Sequence, residues 1–166
     1  RTIVNTINHL ERKGDFDGYA IGGLVPVRSD YKKVIDIILA ARNSTDKPIH
    51  VYGLGGFLYT LLLIYLGVDS FDSSAFVRCG GNRKYYLPSF GMDSISNFEE
   101  MERAPCTCPV CTENSLSEIR EERDLITQHN LWAHVSEIRK LKVAMSLDKD
   151  IEEFLDRRFQ QNSVTQ

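Results

Sequence analysis

Three of the four cysteines fall together, as Cys106-Thr107-Cys108-Pro109-Val110-Cys111, while Cys79 stands apart. A C-x-C-x2-C spacing is poorly suited to disulfides, because neighbours this close would close small strained rings. Three thiolates gathered by one tight turn are instead most of a tetrahedral zinc shell, which takes nitrogen and sulfur ligands. A fourth ligand must come from elsewhere, and the helical stretch that follows offers His129 and His134. Three cysteines and one histidine leave no open coordination position, which describes a structural rather than a catalytic metal. The other readings of the cluster are a group of small buried thiols, or one disulfide with a spare thiol.

The elements before the cysteines alternate. Thr2–Lys13 has apolar residues at helical spacing (Ile3, Val4, Ile7, Leu10) and stops at Gly14. Gly18–Ile21 reads as a short buried strand ended by Gly22-Gly23. Ser29-Asp30 caps a second helix, with Val34, Ile37, Ile38 and Ala41 on one face. Ile49–Tyr52 is a second strand, Phe57–Leu66 a third helix ending at Gly67, and Val68–Phe71 a third strand. Helices alternating with strands over short connections predict parallel strands with helical crossovers. From Arg78 the rhythm changes. Lys84–Phe90 reads as an edge strand because Pro88 would break a central one, and 91–105 reads as loop. Ser117–Thr127 and Asn130–Met145 are expected to be two helices, and Asp148–Phe159 a third capped by Asp148. Gln160–Gln166 is expected to fray.

In parallel α/β architectures ligands bind at the carboxyl ends of the strands. Here those ends carry Gly22-Gly23-Leu24, then Tyr52-Gly53-Leu54-Gly55-Gly56, then Phe71-Asp72-Ser73-Ser74. Glycine backbone, an aromatic plane and a carboxylate on one rim suit a flat polar heterocycle held by stacking and backbone hydrogen bonds. Singly, each has a plainer reading: a strand end at Gly22-Gly23, a weak phosphate-type loop at Gly53-x-Gly55-Gly56, a turn cap at Asp72.

Composition bounds the partners. The 166 residues are 42% hydrophobic and carry a formal net charge of −3, enough for one packed core and with no global basic field. Local clusters at Arg78, Arg83 and Lys84, and at Arg139, Lys140 and Lys142, are the candidate nucleic-acid contacts, against a solvated-face alternative. No apolar run approaches the ~18 residues of a membrane span. Cysteines spaced for metal and the lack of a signal peptide point to a reducing, cytoplasmic compartment. The chain opens on Arg1, so a processed or truncated product is expected.

The residues Phe16-Asp17-Gly18-Tyr19-Ala20-Ile21-Gly22-Gly23-Leu24, Gly67-Val68-Asp69-Ser70-Phe71-Asp72-Ser73, the Cys106–Cys111 cluster and His129-Asn130-Leu131 together resemble the C-terminal half of the tRNA-guanine transglycosylases. The similarity is to the archaeal, archaeosine-type branch and its DNA-modifying relatives, and runs from Gly14 to about Phe159. It implies the C-terminal part of a (β/α)8 TIM barrel with a zinc-binding subdomain. Residues 1–78 would be barrel units carrying the nucleophile, 79–145 the zinc subdomain with its helices, and 146–166 a closing helix and tail. It implies exchange of guanine for a 7-deazaguanine in tRNA, or in DNA, with Asp72 as the nucleophile on C1′. Gly22, Gly23, Leu24, Tyr52 and Gly53 would hold the base, and Cys106, Cys108, Cys111 and His129 would bind Zn2+. A homodimer paired through the zinc region is also implied.

Departures from the family pattern set further expectations. Val25-Pro26-Val27-Arg28 stands where the family often has an acidic residue after Gly-Gly-Leu, and Tyr52 where it usually has methionine. Ser73-Ser74-Ala75-Phe76 follows Asp72 in the archaeal manner. Three strands cannot close a barrel that typically needs about 250 residues, so the other half-barrel, with the general acid/base group, is expected elsewhere and this chain alone is expected not to turn over. The alternative is a non-catalytic accessory subunit of a transglycosylase assembly.

Overall fold

The computed structural model describes residues 2–87, 91–95, 106–147 and 150–163. These fall into two compact units, Arg1–Ser73 and Ser74–Gln166.

The first unit is the alternating one. Helix α1 (Thr2–Glu11) buries Ile7 and ends where Gly14 N–H bonds the Leu10 carbonyl. Strands β1 (Tyr19–Ile21), β2 (Ile49–Val51) and β3 (Ser70–Phe71) form one parallel sheet in the order β1-β2-β3. Glycine is required at the entry to β1, since a Cβ on Gly18 would lie 2.6 Å from the Pro48 carbonyl oxygen. Helix α2 (Tyr31–Arg42) follows the first strand, its N-cap Asp30 accepting the Lys33 N–H at 3.0 Å. Val34, Ile38 and Ala41 are buried as the spacing predicts, and Ile37 is half-buried. Helix α3 (Phe57–Tyr65) is apolar nearly all round, because six of its residues are buried.

Arg42 locks this unit. Its guanidinium donates to the carbonyls of Thr45, Lys47 and Gly67 and to Asp69, while Asp69 also accepts the Ile49 N–H at 2.8 Å. One side chain thus ties the end of α2 to the starts of both β2 and β3. These three strands make an open parallel sheet with helical crossovers.

The second unit departs more from expectation. A helix absent from our sequence reading, α4 (Ala75–Gly81), precedes strand β4 (Lys84–Leu87). The segment expected as loop holds strand β5 (Gly91–Ser94), antiparallel to β4; residues 96–105 and Pro88–Phe90 lie outside the described set. Short helices α5 (Pro109–Glu113) and α6 (Leu116–Glu121) lead into α7 (Arg123–Ser146), and α8 (Ile151–Ser163) follows. The two expected late helices are therefore divided at Glu122 rather than near Gln128, and α7 is continuous through His129. A capping box fixes α6, with Ser115 and Glu118 satisfying each other's backbone N–H. The cap of α8 is Asp150, which accepts the Glu153 N–H at 2.9 Å; Asp148 lies outside the described residues.

Helix α7 is the spine of this unit. Ile126, Asn130, Ala133, Glu137, Leu141 and Ala144 bury one stripe of it at helical spacing. Gly80 permits the close approach of α4, because a Cβ there would fall 2.1 Å from the Thr127 hydroxyl oxygen. Asn130, fully buried, acts as a surrogate strand partner for β4: its Oδ1 accepts the Tyr86 N–H at 2.9 Å and its Nδ2 donates to the Lys84 carbonyl at 2.9 Å.

Glu137 is 1% exposed and is paired with Lys140 and, at 2.9 Å, with Arg158 of α8. Removing one member of a buried ion pair leaves uncompensated charge, so Glu137→Ala is expected to cost about 3–5 kcal/mol. Chemical denaturation reads this as a lowered midpoint at unchanged slope.

Candidate functional site

Each unit carries one constellation. In the first, strand alternation places His50 and Tyr52 on one face of β2, and Ser70 and Asp72 on the matching face of β3. Residues Gly22, Gly23 and Leu24 leave the end of β1 at the same carboxyl edge, and β1 adjoins β2. Gly23 has φ +74°, and a Cβ on either Gly22 or Gly23 would meet nothing within 4 Å, so both present bare backbone to open space. Leu24 buries its side chain at 2% exposure, which leaves only its main chain for a ligand. Tyr52 is 55% exposed, which leaves its ring accessible to a ligand.

The Asp72 carboxylate is 58% exposed and held from one side. Its Oδ1 accepts the Gly53 N–H at 2.9 Å, an orientation that Gly53 reaches at φ +68°. His50 Nε2 lies 3.5 Å from the same oxygen, its Nδ1 lies 2.9 Å from Ser70 Oγ, and its ring meets Tyr52 edge-on at 4.6 Å. The loops after β2 and β3 are packed together at Gly55, where a Cβ would lie 2.2 Å from Ser73 Cβ and where the Ser73 hydroxyl donates to the Gly55 carbonyl. Gly55 thus serves close packing, which differs from the phosphate-cradle reading of the same loop.

The second constellation is the cysteine cluster. Cys106, Cys108, Cys111 and His129 bring one ligand atom each within 4.8 Å of one another, an arrangement that could hold a metal ion. His129 Nδ1 lies 3.7, 3.3 and 3.4 Å from the sulfurs of Cys106, Cys108 and Cys111. A tetrahedral zinc with ordinary bond lengths requires S···N separations of about 3.6 Å, so the donor set fits. The ring is oriented from behind, as ligating histidines are: Nε2–H donates to the Tyr86 carbonyl at 2.7 Å, which leaves Nδ1 for the metal. Tyr85 stacks on His129 with centroids 3.5 Å apart, and its hydroxyl lies 3.0 Å from Cys111 Sγ. Cys108 also accepts the Cys111 N–H, at 3.3 Å. Around this sits a small core of Tyr85, Ile95, Ile119 and Ile126.

Electrostatics agree with a cation. Hydrogen bonds from Cys108, and then from Cys111, hold the Cys106 thiol far below the ordinary thiol range. The bond to Cys106 pushes the thiols of Cys108 and Cys111 up. The mutual influence of three thiols this close is what a bound divalent cation would relieve, since a metal ligates the thiolate form. His134, the alternative fourth ligand, is not in the group; it is buried with its pKa lowered by desolvation, its ring tilted 6.3 Å from Tyr86.

The basic clusters fare differently. Arg83 donates to the carbonyls of Arg120 and Glu121 at the end of α6, and Lys140 is engaged by Glu137. Arg78, Lys84, Arg139 and Lys142 are exposed. No described helix is long and apolar enough to cross a membrane.

The profile of one family, described as queuine tRNA-ribosyltransferase, matches residues 4–164. The chain belongs to this tRNA-guanine transglycosylase family. It is 35% identical over 153 residues to the tRNA-guanine(15) transglycosylase of Methanococcus aeolicus, covering 87% of this chain and 23% of the relative. The enzyme of the same name from Haloferax volcanii is 31% identical, with 87% of this chain and 29% of the relative covered. That from Pyrococcus furiosus is 34% identical over 140 residues, with coverage of 79% and 23%. The chain thus spans about a quarter of the length of these relatives.

Proposed function

We propose that this chain is the C-terminal portion of a base-exchange transglycosylase acting through a covalent aspartyl intermediate. One observation carries the reading: a carboxylate, an exposed aromatic ring and open glycine backbone share the carboxyl edge of one parallel sheet, with Oδ1 of the carboxylate tethered by Gly53 N–H. Asp72 Oδ2 attacks C1′ of the target nucleoside. The C1′–Oδ2 bond forms, the glycosidic bond breaks, and its electron pair leaves with guanine, which takes its proton from an acid outside this chain. The incoming base then attacks C1′ through its ring nitrogen, gives that nitrogen's proton back to the same outside group, and releases the carboxylate as the C1′–Oδ2 bond breaks. Gly22, Gly23 and the main chain of Leu24 bind the base edge, and Tyr52 stacks on its face.

The incoming base is a 7-deazaguanine in this reading, and the absence of an acidic side chain in Val25–Arg28 bears on which one is accepted. The remaining strands of the barrel, over which 1–78 would be continued, and the acid/base group belong to other residues of the enzyme. Zinc held by Cys106, Cys108, Cys111 and His129 supplies folding energy to the second unit and takes no part in the exchange. A homodimer paired through the zinc region belongs to the same reading.

The test is exchange of labelled guanine out of tRNA and out of duplex DNA by the intact protein. Label release from tRNA supports the reading with a tRNA substrate, and release from DNA alone moves it to DNA. No exchange with either, at full metal content, places the chain among accessory subunits.

A further inference from the structure

We propose that His50 is the positioning residue for the Asp72 carboxylate, an inference that rests on the nucleophile reading above. His50 and Ser70 are register partners in the parallel β2–β3 pair, so their side chains stand beside each other on the face that also carries Tyr52 and Asp72. Nδ1 is 2.9 Å from Ser70 Oγ and Nε2 is 3.5 Å from Asp72 Oδ1. The two contacts require a proton on Nε2. A neutral ring with its proton on Nδ1 would aim the Nε2 lone pair at a carboxylate oxygen, which is repulsive. Nε2–H therefore faces Oδ1, and Ser70 Oγ donates to Nδ1 in the neutral ring or accepts from Nδ1–H in the imidazolium. Tyr52, edge-on at 4.6 Å, limits rotation of the ring.

The consequence is a division of labour between the carboxylate oxygens. Oδ1 is turned to two N–H groups, Gly53 N–H at 2.9 Å and His50 Nε2–H at 3.5 Å, and Oδ2 is left to react. The main-chain donor alone fixes a point, while two donors fix the plane. A reactive oxygen displaced by about 1 Å can cost on the order of 100-fold in rate. The same two donors stabilise the carboxylate as it leaves C1′ in the second half of the exchange.

The test compares His50→Phe, which keeps a ring against Tyr52 without an N–H, with His50→Gln, whose amide N–H can reach Oδ1. Both are measured in the intact protein by the single-turnover rate of covalent adduct formation with nucleic acid, alongside KM and kcat. His50→Phe is expected to slow adduct formation by about 10–100-fold with KM for nucleic acid unchanged, and His50→Gln to recover most of the loss. A wild-type rate in His50→Phe, or equal losses in the two variants, overturns the inference. Asp72→Asn is run beside them. An adduct that persists in Asp72→Asn sinks the nucleophile reading itself; its disappearance with His50→Phe unimpaired sinks only the role of His50.

Discussion

In the proposed reading, stripping zinc from Cys106, Cys108, Cys111 and His129 is expected to unfold the second unit. A chelator of zinc-level affinity, or Cys108→Ala, should abolish the cooperative transition of Ser74–Gln166 as followed by hydrogen exchange. Structural zinc contributes on the order of 10–16 kcal/mol, as much as the whole stability of a typical domain, about 5–15 kcal/mol. The geometry says why the site is coupled to the packing around it. His129 is fully buried between the sulfurs and the Tyr86 carbonyl, and the adjacent Asn130 pairs the backbone of the same strand. Without a metal His129 Nδ1 faces three sulfurs in a buried site, which weakens the docking of α7 on β4 that Asn130 and the Tyr86 carbonyl also support. His134→Ala is the control: it lies outside the ligand group, so one metal per chain should remain. Metal retention should also fall with falling pH. Cysteines ligate as thiolates, so metal binding must displace their protons and added protons compete directly with the ion. Full protection after chelation would show that the cluster is a set of packed thiols.

The second large effect is catalytic. Asp72→Asn is expected to lower base exchange by about 10^4-fold or more, the scale on which loss of a covalent nucleophile is felt. The isosteric amide keeps an oxygen for the Gly53 N–H but cannot supply the carboxylate electron pair. Asp72 is 58% exposed, so the change should leave stability within about 0.5 kcal/mol. Metal content should be unaltered. A variant that is inactive because it is unfolded or metal-free would carry no information about Asp72, and these two measurements separate the cases.

How much of this was readable in advance varies along the chain for physical reasons. The first unit is legible because β1 and β2 are short runs closed by Gly22-Gly23 and Gly53, Gly67 ends the third helix ahead of β3, and Asp30 is an ordinary helix cap. The C-x-C-x2-C spacing was legible because thiolate geometry is local. The end of α6 was not: Glu122 interrupts the helices with no Gly or Pro to mark it, and the capping box at Ser115 had to be read as the stronger signal. Helix α4 was hidden because its sequence, Ala75–Gly81, ends in two glycines that read as loop, whereas Gly80 is there to let Thr127 approach. Tyr85 and Tyr86 are both buried because β4 has the cysteine cluster on one side and Cys79 with His134 on the other, which no alternation pattern announces. His50 was passed over for a similar reason. One histidine inside a strand signals nothing until register sets it beside Ser70 and Asp72.

The central claim is that Asp72 becomes covalently joined to C1′ of a nucleic acid. The most direct measurement is to quench the reaction of the intact protein with its polynucleotide by denaturation, digest both components, and locate the retained sugar by mass spectrometry. The account predicts a ribosyl or deoxyribosyl group on the peptide that contains Phe71-Asp72-Ser73, absent in Asp72→Asn. A sugar retained on any other peptide, or turnover with no retained sugar at all, would contradict it.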